Sequence, residues 1–289
     1  MNSALALQMD EPSPEALQKI MATIDIPPCP EVVARAMKAA QKDDPDLAEL
    51  AAIVSADGSM TASMLKLANS ALYGNAGAVS NVRKAVERLG TRLVVCVIVS
   101  SALRSCMTGI PDAWLQTFWQ RSSQLALAAS LIARKQFGIQ ADSAYHYALF
   151  HDAAIPLMIK RFPDYADLIE KCHAESLFLY QEECRRYPCT HPVVGALLVR
   201  SWGLPKYLNQ AIRLHHDEAL YRLPDTVLAS EGLSLIAVTH VAEHLLATLH
   251  QDADSEVGAT LFAQALAHLG LSDDDLDELS ACVQEAFEA

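Results

Sequence analysis

Positive charge is scarce in this chain. Its 289 residues carry a formal net charge of −13, and nonspecific contact with nucleic acid or an anionic membrane needs a cationic surface. No nucleic-acid partner and no membrane insertion are therefore expected. No CxxC pair occurs among the seven cysteines (Cys29, Cys96, Cys106, Cys172, Cys184, Cys189 and Cys282). An odd set without close pairs in a chain of this length predicts reduced thiols rather than a disulfide framework. The first ten residues lack the basic stretch and apolar run of a signal peptide. The most apolar run, Leu93 to Leu103, falls short of the roughly 20 residues that span a bilayer. Alternating strand patterns, internal repeats, glycine-rich phosphate loops and Ser-His-Asp spacings are all missing. These absences predict a soluble, cytoplasmic, all-α protein.

Apolar residues, by contrast, are plentiful, at 52% against 20% charged, enough for one large core or two modest ones. Residues 1–14 read as a polar, flexible lead-in, and Pro14 suits the first turn of a helix running to about Thr23. Ile26-Pro27-Pro28-Cys29-Pro30 is a rigid extended connector, because each proline biases its predecessor away from helix. Helices are predicted over Glu31–Gln41, from Leu47 after an Asp46 cap, and from Gly58, where Met60, Met64, Leu67 and Ala71 share a face. Another runs from Ser80 to a stop at Gly90, and a buried one follows from Thr91 to Cys106. The periodicity continues through Ala113–Phe137, Ser143–Asp152, Ile155–Arg161, Tyr165–Glu175 and Leu177–Arg186. His191–Trp202, Pro205–His216, Leu233–His250, Val257–Leu269 and Asp273–Phe287 complete the set. The acidic stretches Asp252 to Glu256 and Asp273 to Glu278 read as solvated segments.

One of these helices, Tyr145 to Asp152, is apolar and ends in an adjacent His151-Asp152 pair. Imidazole and carboxylate side by side are good ligands for a divalent ion. Such an ion lowers the pKa of bound water and polarises phosphoryl oxygens.

Several passages together resemble the HDOD family, the HD-related output domain. In the first half they are Ile26-Pro27-Pro28-Cys29-Pro30, Leu67-Ala68-Asn69-Ser70-Ala71-Leu72-Tyr73-Gly74 and Ala85-Val86-Glu87-Arg88-Leu89-Gly90. In the second they are Phe118-Trp119, Leu149-Phe150-His151-Asp152, Thr190-His191-Pro192-Val193-Val194-Gly195, Trp202-Gly203-Leu204-Pro205 and His215-His216. The resemblance spans about residues 19–217. It implies an all-helical bacterial signalling module, with an N-terminal helical lobe over residues 15–112 packed on a degenerate HD-like lobe over residues 113–289. Such modules are usually regarded as non-catalytic and occur in regulatory pathways, including cyclic-di-GMP networks.

The HD pattern also implies ligand positions, and here the chain departs from it. A first histidine is expected where Arg121 stands, and Arg121 lies on the stripe Phe118, Arg121, Leu125, Ala128, Ile132, so it is predicted to face inward. A guanidinium repels a dication, and Arg121 is expected to pair with Asp152 as a structural polar core. No metal is then expected, and His151, Asp152, His191, His215 and Glu243 are vestigial ligands. Glu243 is the nearest counterpart of the late HD aspartate. His216 is explained by the dipole at its helix end. The leading expectation is a non-catalytic signal-transduction module that binds another signalling protein, through an apolar groove between the lobes or the surface of Asn69, Ser70 and Tyr73. The alternatives are a divergent metal-dependent phosphohydrolase acting on a nucleotide, and a non-catalytic cyclic-dinucleotide sensor.

Overall fold

The computed structural model describes residues 24–74, 77–251 and 257–288. The predicted lead-in over residues 1–14, the helix ending at Thr23 and the acidic stretch 252–256 lie outside them. Among the described residues every regular element is helical.

Four helices form a first group: α1 (Glu31–Ala40), α2 (Leu47–Ser55), α3 (Gly58–Ala68) and α4 (Val82–Cys106). The carboxylates of Asp46 and Asp57 accept from the backbone N–H groups of Glu49 and Met60, satisfying donors that would otherwise have no partner at the starts of α2 and α3. Asn81 does the same at α4 by accepting from Lys84 N. Gly90, with φ 72° and ψ 172°, breaks α4 in two, at the point where the sequence predicts a stop. The break turns the apolar second half, from Leu93 onward, into the centre of the molecule, and α1, α2 and α3 all pack on α4.

The second group is built on α5 (Asp112–Lys135) and α6 (Ala141–Phe150), which run closely against each other. Short α7 (Ile155–Arg161), α8 (Tyr165–Glu175) and α9 (Leu179–Arg186) follow. Then come α10 (His191–Ser201), α11 (Lys206–Leu214) and a 3-10 turn at Leu220–Arg222. Long α12 (Ser230–His250) packs on α5, α6 and α11, while α13 (Gly258–Leu269) and α14 (Asp273–Glu288) lie outside it. By length and apolarity α4 and α12 could each cross a membrane. Here their apolar side chains, among them Leu93, Val97, Ile236 and Val241, are buried in the protein's own core.

That core is one contiguous cluster running from Ile24 in the first group to Val283 in α14. Polar ties add to it where the groups meet. Tyr73 Oη donates to Asp142 Oδ1 at 2.9 Å, and Arg92 donates to Ser143 Oγ at 2.9 Å. The indole N–H of Trp202 donates to Pro27 O at 2.8 Å. Two of these ties hold the start of α6, and the end of α6 carries the His151-Asp152 pair.

Candidate metal centre

His151 and Asp152 follow the last residue of α6, where the chain leaves the helix in a tight turn before α7. His151 is buried, one turn beyond Tyr147, with the two rings tilted at 43° and 6.0 Å apart. Its Nδ1 lies 2.8 Å from Ala148 O, and since a carbonyl can only accept, Nδ1 carries the proton. Nε2 is thereby turned toward two carboxylates, Glu243 Oε1 at 2.9 Å and Asp152 Oδ2 at 3.2 Å.

The other oxygen of Asp152 faces α10 and α11. Oδ1 lies 3.3 Å from His191 Nε2 and 3.6 Å from His215 Nε2. Both rings are oriented from behind. His215 donates Nδ1–H to Ile212 O at 2.7 Å, and His240 on α12 donates to His215 O at 3.0 Å. His191 donates Nδ1–H to Glu183 Oε2 at 2.8 Å, and the same oxygen accepts the backbone N–H of His191 at 3.0 Å. Glu183, fully buried on α9, is held on its other oxygen by the hydroxyl of Tyr165. A carboxylate behind a histidine fixes its tautomer and raises its basicity, the usual outer arrangement of a metal-bound imidazole. His216 completes the set, with Nε2 at 3.2 Å from His191 Nε2 and its ring stacked on Tyr180.

The charges follow the geometry. Burial alone would hold His151 and His191 neutral, but the carboxylates of Asp152 and Glu243 raise the first, and those of Glu183 and Asp152 raise the second, well above the usual histidine range. Burial likewise opposes the charge on Asp152, yet the histidines around it, His151 foremost, hold it well below the usual carboxylate value. His215 and His216 are pushed down, by burial first and then by neighbouring imidazoles, and stay neutral. Without an ion, protons on His151 and His191 balance the carboxylates; metal binding would release them.

The donor set fits a divalent transition metal. Asp152, His191, His215 and His216 each offer a ligand atom, all within 4.8 Å of one another, and His151, Asp152 and Glu243 form a second such group sharing Asp152. Two of the converging atoms, Asp152 Oδ1 and His215 Nε2, are buried without a hydrogen-bond partner. Buried polar atoms are normally satisfied, so two orphans aimed at one point call for a guest between them. Imidazole-rich sites with a carboxylate suit first-row divalent metals, and a bound ion would supply charge neutralisation and Lewis acidity there.

Two sequence expectations are corrected by this arrangement. Arg121 does not occupy the centre: it is exposed, and the ion-pair partners of Asp152 are His151, His191 and His215. The stripe read from the sequence holds at Leu125, Ala128 and Ile132, which are buried, but at the start of α5 the inward face runs through Leu115, Trp119 and Ser122, leaving Phe118 half-buried and Arg121 exposed. Nor is His216 explained by a helix dipole, since its ring is buried against His191 and His215. The five residues read as vestigial ligands, His151, Asp152, His191, His215 and Glu243, are all brought together. Glu183 and Tyr165 were missed, because Glu183 sits in the charged run Gln181 to Arg186 and looks like part of a solvated face.

Asn69, Ser70 and Tyr73 turn their polar groups inward. Asn69 accepts from Val79 N at 2.7 Å and donates to Val79 O at 2.8 Å and Leu65 O at 2.9 Å, clamping the loop after α3. Ser70 donates to Leu67 O at 2.8 Å. Tyr73 is held by Asp142, with the Arg134 guanidinium 5.2 Å above its ring.

Comparison with known proteins places this arrangement in a family. A Geobacter sulfurreducens HDOD domain protein of unknown function shares 22% identity, with 98% of this chain and 99% of that one covered and a TM-score of 0.66. A Shewanella amazonensis protein whose name proposes a phosphohydrolase shares 21% over 93% of each chain, with a TM-score of 0.68. A Marinobacter aquaeolei protein whose name proposes signal transduction shares 21%, covering 99% of this chain and 67% of that one, again at 0.68. At such identities the likeness is one of fold. A Treponema pallidum protein is 26% identical over 198 residues, and the matched part spans 38% of its length. Residues 26–218, which hold the Asn69–Gly74 turn and the four histidines His151, His191, His215 and His216 around Asp152, match the HDOD domain. By that match the chain belongs to the HDOD family.

Proposed function

We propose that this HDOD protein is a signal-transduction module that holds a divalent transition metal as a fixed part of its second helical group. It acts by binding another signalling protein in the cytoplasm and does not turn over a phosphodiester. The observation that carries the metal is the convergence of Asp152 with His191, His215 and His216, with Asp152 Oδ1 and His215 Nε2 otherwise unpartnered. Support for a non-catalytic role comes from burial. The four ring-bearing residues His151, His191, His215 and His216 are at most 7% exposed. Only the Asp152 and Glu243 side chains, at 16% and 12%, reach toward solvent. Such limited access suits an ion that stays in place with at most a small ligand, rather than one that must admit and release a large substrate. For the partner, an open groove between α1 and the end of α10 offers Met37, Lys38, Cys29 and Trp202.

The purified protein should contain about one equivalent of first-row metal by elemental analysis. Asp152→Asn and His191→Ala should each lose at least tenfold in metal affinity, in line with removal of a direct ligand. A metal-free wild type that takes up no zinc, manganese, iron or cobalt on dialysis would defeat the reading. Met37→Glu should abolish capture of the partner from native extract while leaving metal content unchanged.

A second reading, hydrolysis of a nucleotide phosphodiester, is favoured by the two donor groups that share Asp152 and by the edge at Glu243. Metal-loaded protein assayed on bis(p-nitrophenyl) phosphate and on cyclic di-GMP distinguishes the two. Turnover that disappears in His151→Ala establishes the second reading. Binding of cyclic di-GMP without turnover establishes a sensor instead.

A further inference from the structure

Tyr147 lies one helical turn before His151 on α6, with the two rings 6.0 Å apart. It is completely buried, and its hydroxyl has no hydrogen-bond partner. It is the third orphaned polar atom at this centre, beside Asp152 Oδ1 and His215 Nε2. A core position that needed only bulk would be served by phenylalanine without the cost of a buried, unmet hydroxyl.

The charged groups that act on this hydroxyl are Glu243 and Asp152. Burial and those two carboxylates hold the phenol in its neutral form, so it keeps a proton to donate. Neither carboxylate is hydrogen-bonded to it: Glu243 Oε1 is engaged by His151, and Asp152 Oδ2 also faces His151.

We infer that Tyr147 is a ligand-binding residue of the centre, whose hydroxyl donates a hydrogen bond to an anionic oxygen bound there together with the metal. The inference rests on the metal reading above and names the ligand class of the same site. The oxygen belongs to hydroxide or to a small oxyanion of the inorganic phosphate type. Burial sets that limit, because His151, His191, His215 and His216 are at most 7% exposed and leave no open face for a nucleoside. Charge sets the class: two protein carboxylates already supply acceptors, while Tyr147 presents a donor.

The test uses the full chain loaded with cobalt(II), as wild type and as Tyr147→Phe. Cobalt stoichiometry and thermal midpoint are measured first for both. Inorganic phosphate is then titrated by calorimetry and by the visible cobalt absorption, and a separate pH titration of that absorption follows a cobalt-bound water. The expected result is equal cobalt loading, with phosphate binding weakened about tenfold or more in Tyr147→Phe, as for loss of a hydrogen bond to a charged group. If hydroxide is the oxygen, phosphate affinity stays equal and the spectral transition moves up by about one pH unit in the variant, because hydroxide loses its donor. Equal phosphate affinity together with an equal spectral transition, at equal cobalt loading, overturns the inference and leaves the metal reading standing. A wild type that takes up no cobalt overturns both. Should Tyr147→Phe fail to fold, Tyr147→Met is carried through the same titrations and judged by the same outcomes.

Discussion

His146 is the ring next in sequence to Tyr147, and its environment is the opposite of the metal centre's. It is buried against Phe150, and neither ring nitrogen has a hydrogen-bond partner. Burial first, and then the Arg92 charge, push it down to about 4. An unfolded histidine titrates near 6.5, so the unfolded chain binds the extra proton earlier as pH falls. The stability that the neutral ring permits is complete above 6.5 and is lost progressively between 6.5 and about 4. At about 1.4 kcal/mol per pH unit the loss amounts to roughly 3 kcal/mol at most. His146→Phe should flatten the stability profile in that window relative to wild type. Urea midpoints at pH 7, 6, 5 and 4.5 measure it, and profiles that stay parallel would refute the assignment. The centre's own histidines titrate too, but they are common to both proteins and cancel in the difference.

Two glycines show how differently a helix can depend on the same residue. Gly90 has open space where a Cβ would go, but its φ of 72° with ψ of 172° belongs to a region that only glycine enters readily. Gly90→Ala should therefore cost about 1–3 kcal/mol through backbone strain alone. Gly195 has ordinary helical geometry, but a Cβ there would stand 2.9 Å from Ile212 Cγ2 and 3.6 Å from His151 O. Gly195→Ala wedges α10 away from α11 and the His151 turn, costing about 1–3 kcal/mol by overpacking. The two variants separate on metal retention. Gly195→Ala should loosen it, since α10 carries His191, whereas Gly90→Ala should leave it near wild type. Equal metal loss in both would refute this account. At this scale the sequence was informative where one residue decides an outcome locally: Asp46 as a cap, Gly90 as a stop, the His-Asp pair at a helix end. It was uninformative where phase or tertiary approach decides. At the start of α5 it is Trp119 and Ser122, not Phe118 and Arg121, that take the inward face, although the same stripe is buried further along at Leu125, Ala128 and Ile132. Glu183 reaches the ring and backbone N–H of His191 across the turn between α9 and α10, and nothing in its own charged neighbourhood marks that approach.

For the molecule as a whole, the question is whether the two helical groups melt together. The core is contiguous across them, and Tyr73–Asp142, Arg92–Ser143 and Trp202–Pro27 tie the first group to the second. Since α6 begins at the first two ties and ends at His151 and Asp152, loosening the first group frees the helix that presents two of the ligands. Unfolding is thus expected as one cooperative transition. The chain offers two differently weighted probes, because Trp114, Trp119 and Trp202 all lie beyond residue 112, with Trp119 and Trp202 also touching the first group at Arg104 and Pro27, whereas far-ultraviolet dichroism counts every helix. Dichroism and tryptophan fluorescence should give coincident melting curves. Removing metal with a chelator should lower both midpoints by the same amount, because an ion that binds only the folded chain stabilises whatever unfolds with its site. At free metal near a thousand times the dissociation constant that stabilisation is about 4 kcal/mol. A dichroism phase that precedes the main tryptophan transition, and that the chelator does not move, would show the first group to be an independent unit. Metal occupancy at Asp152 would then have no mechanical path to the loop that Asn69 clamps.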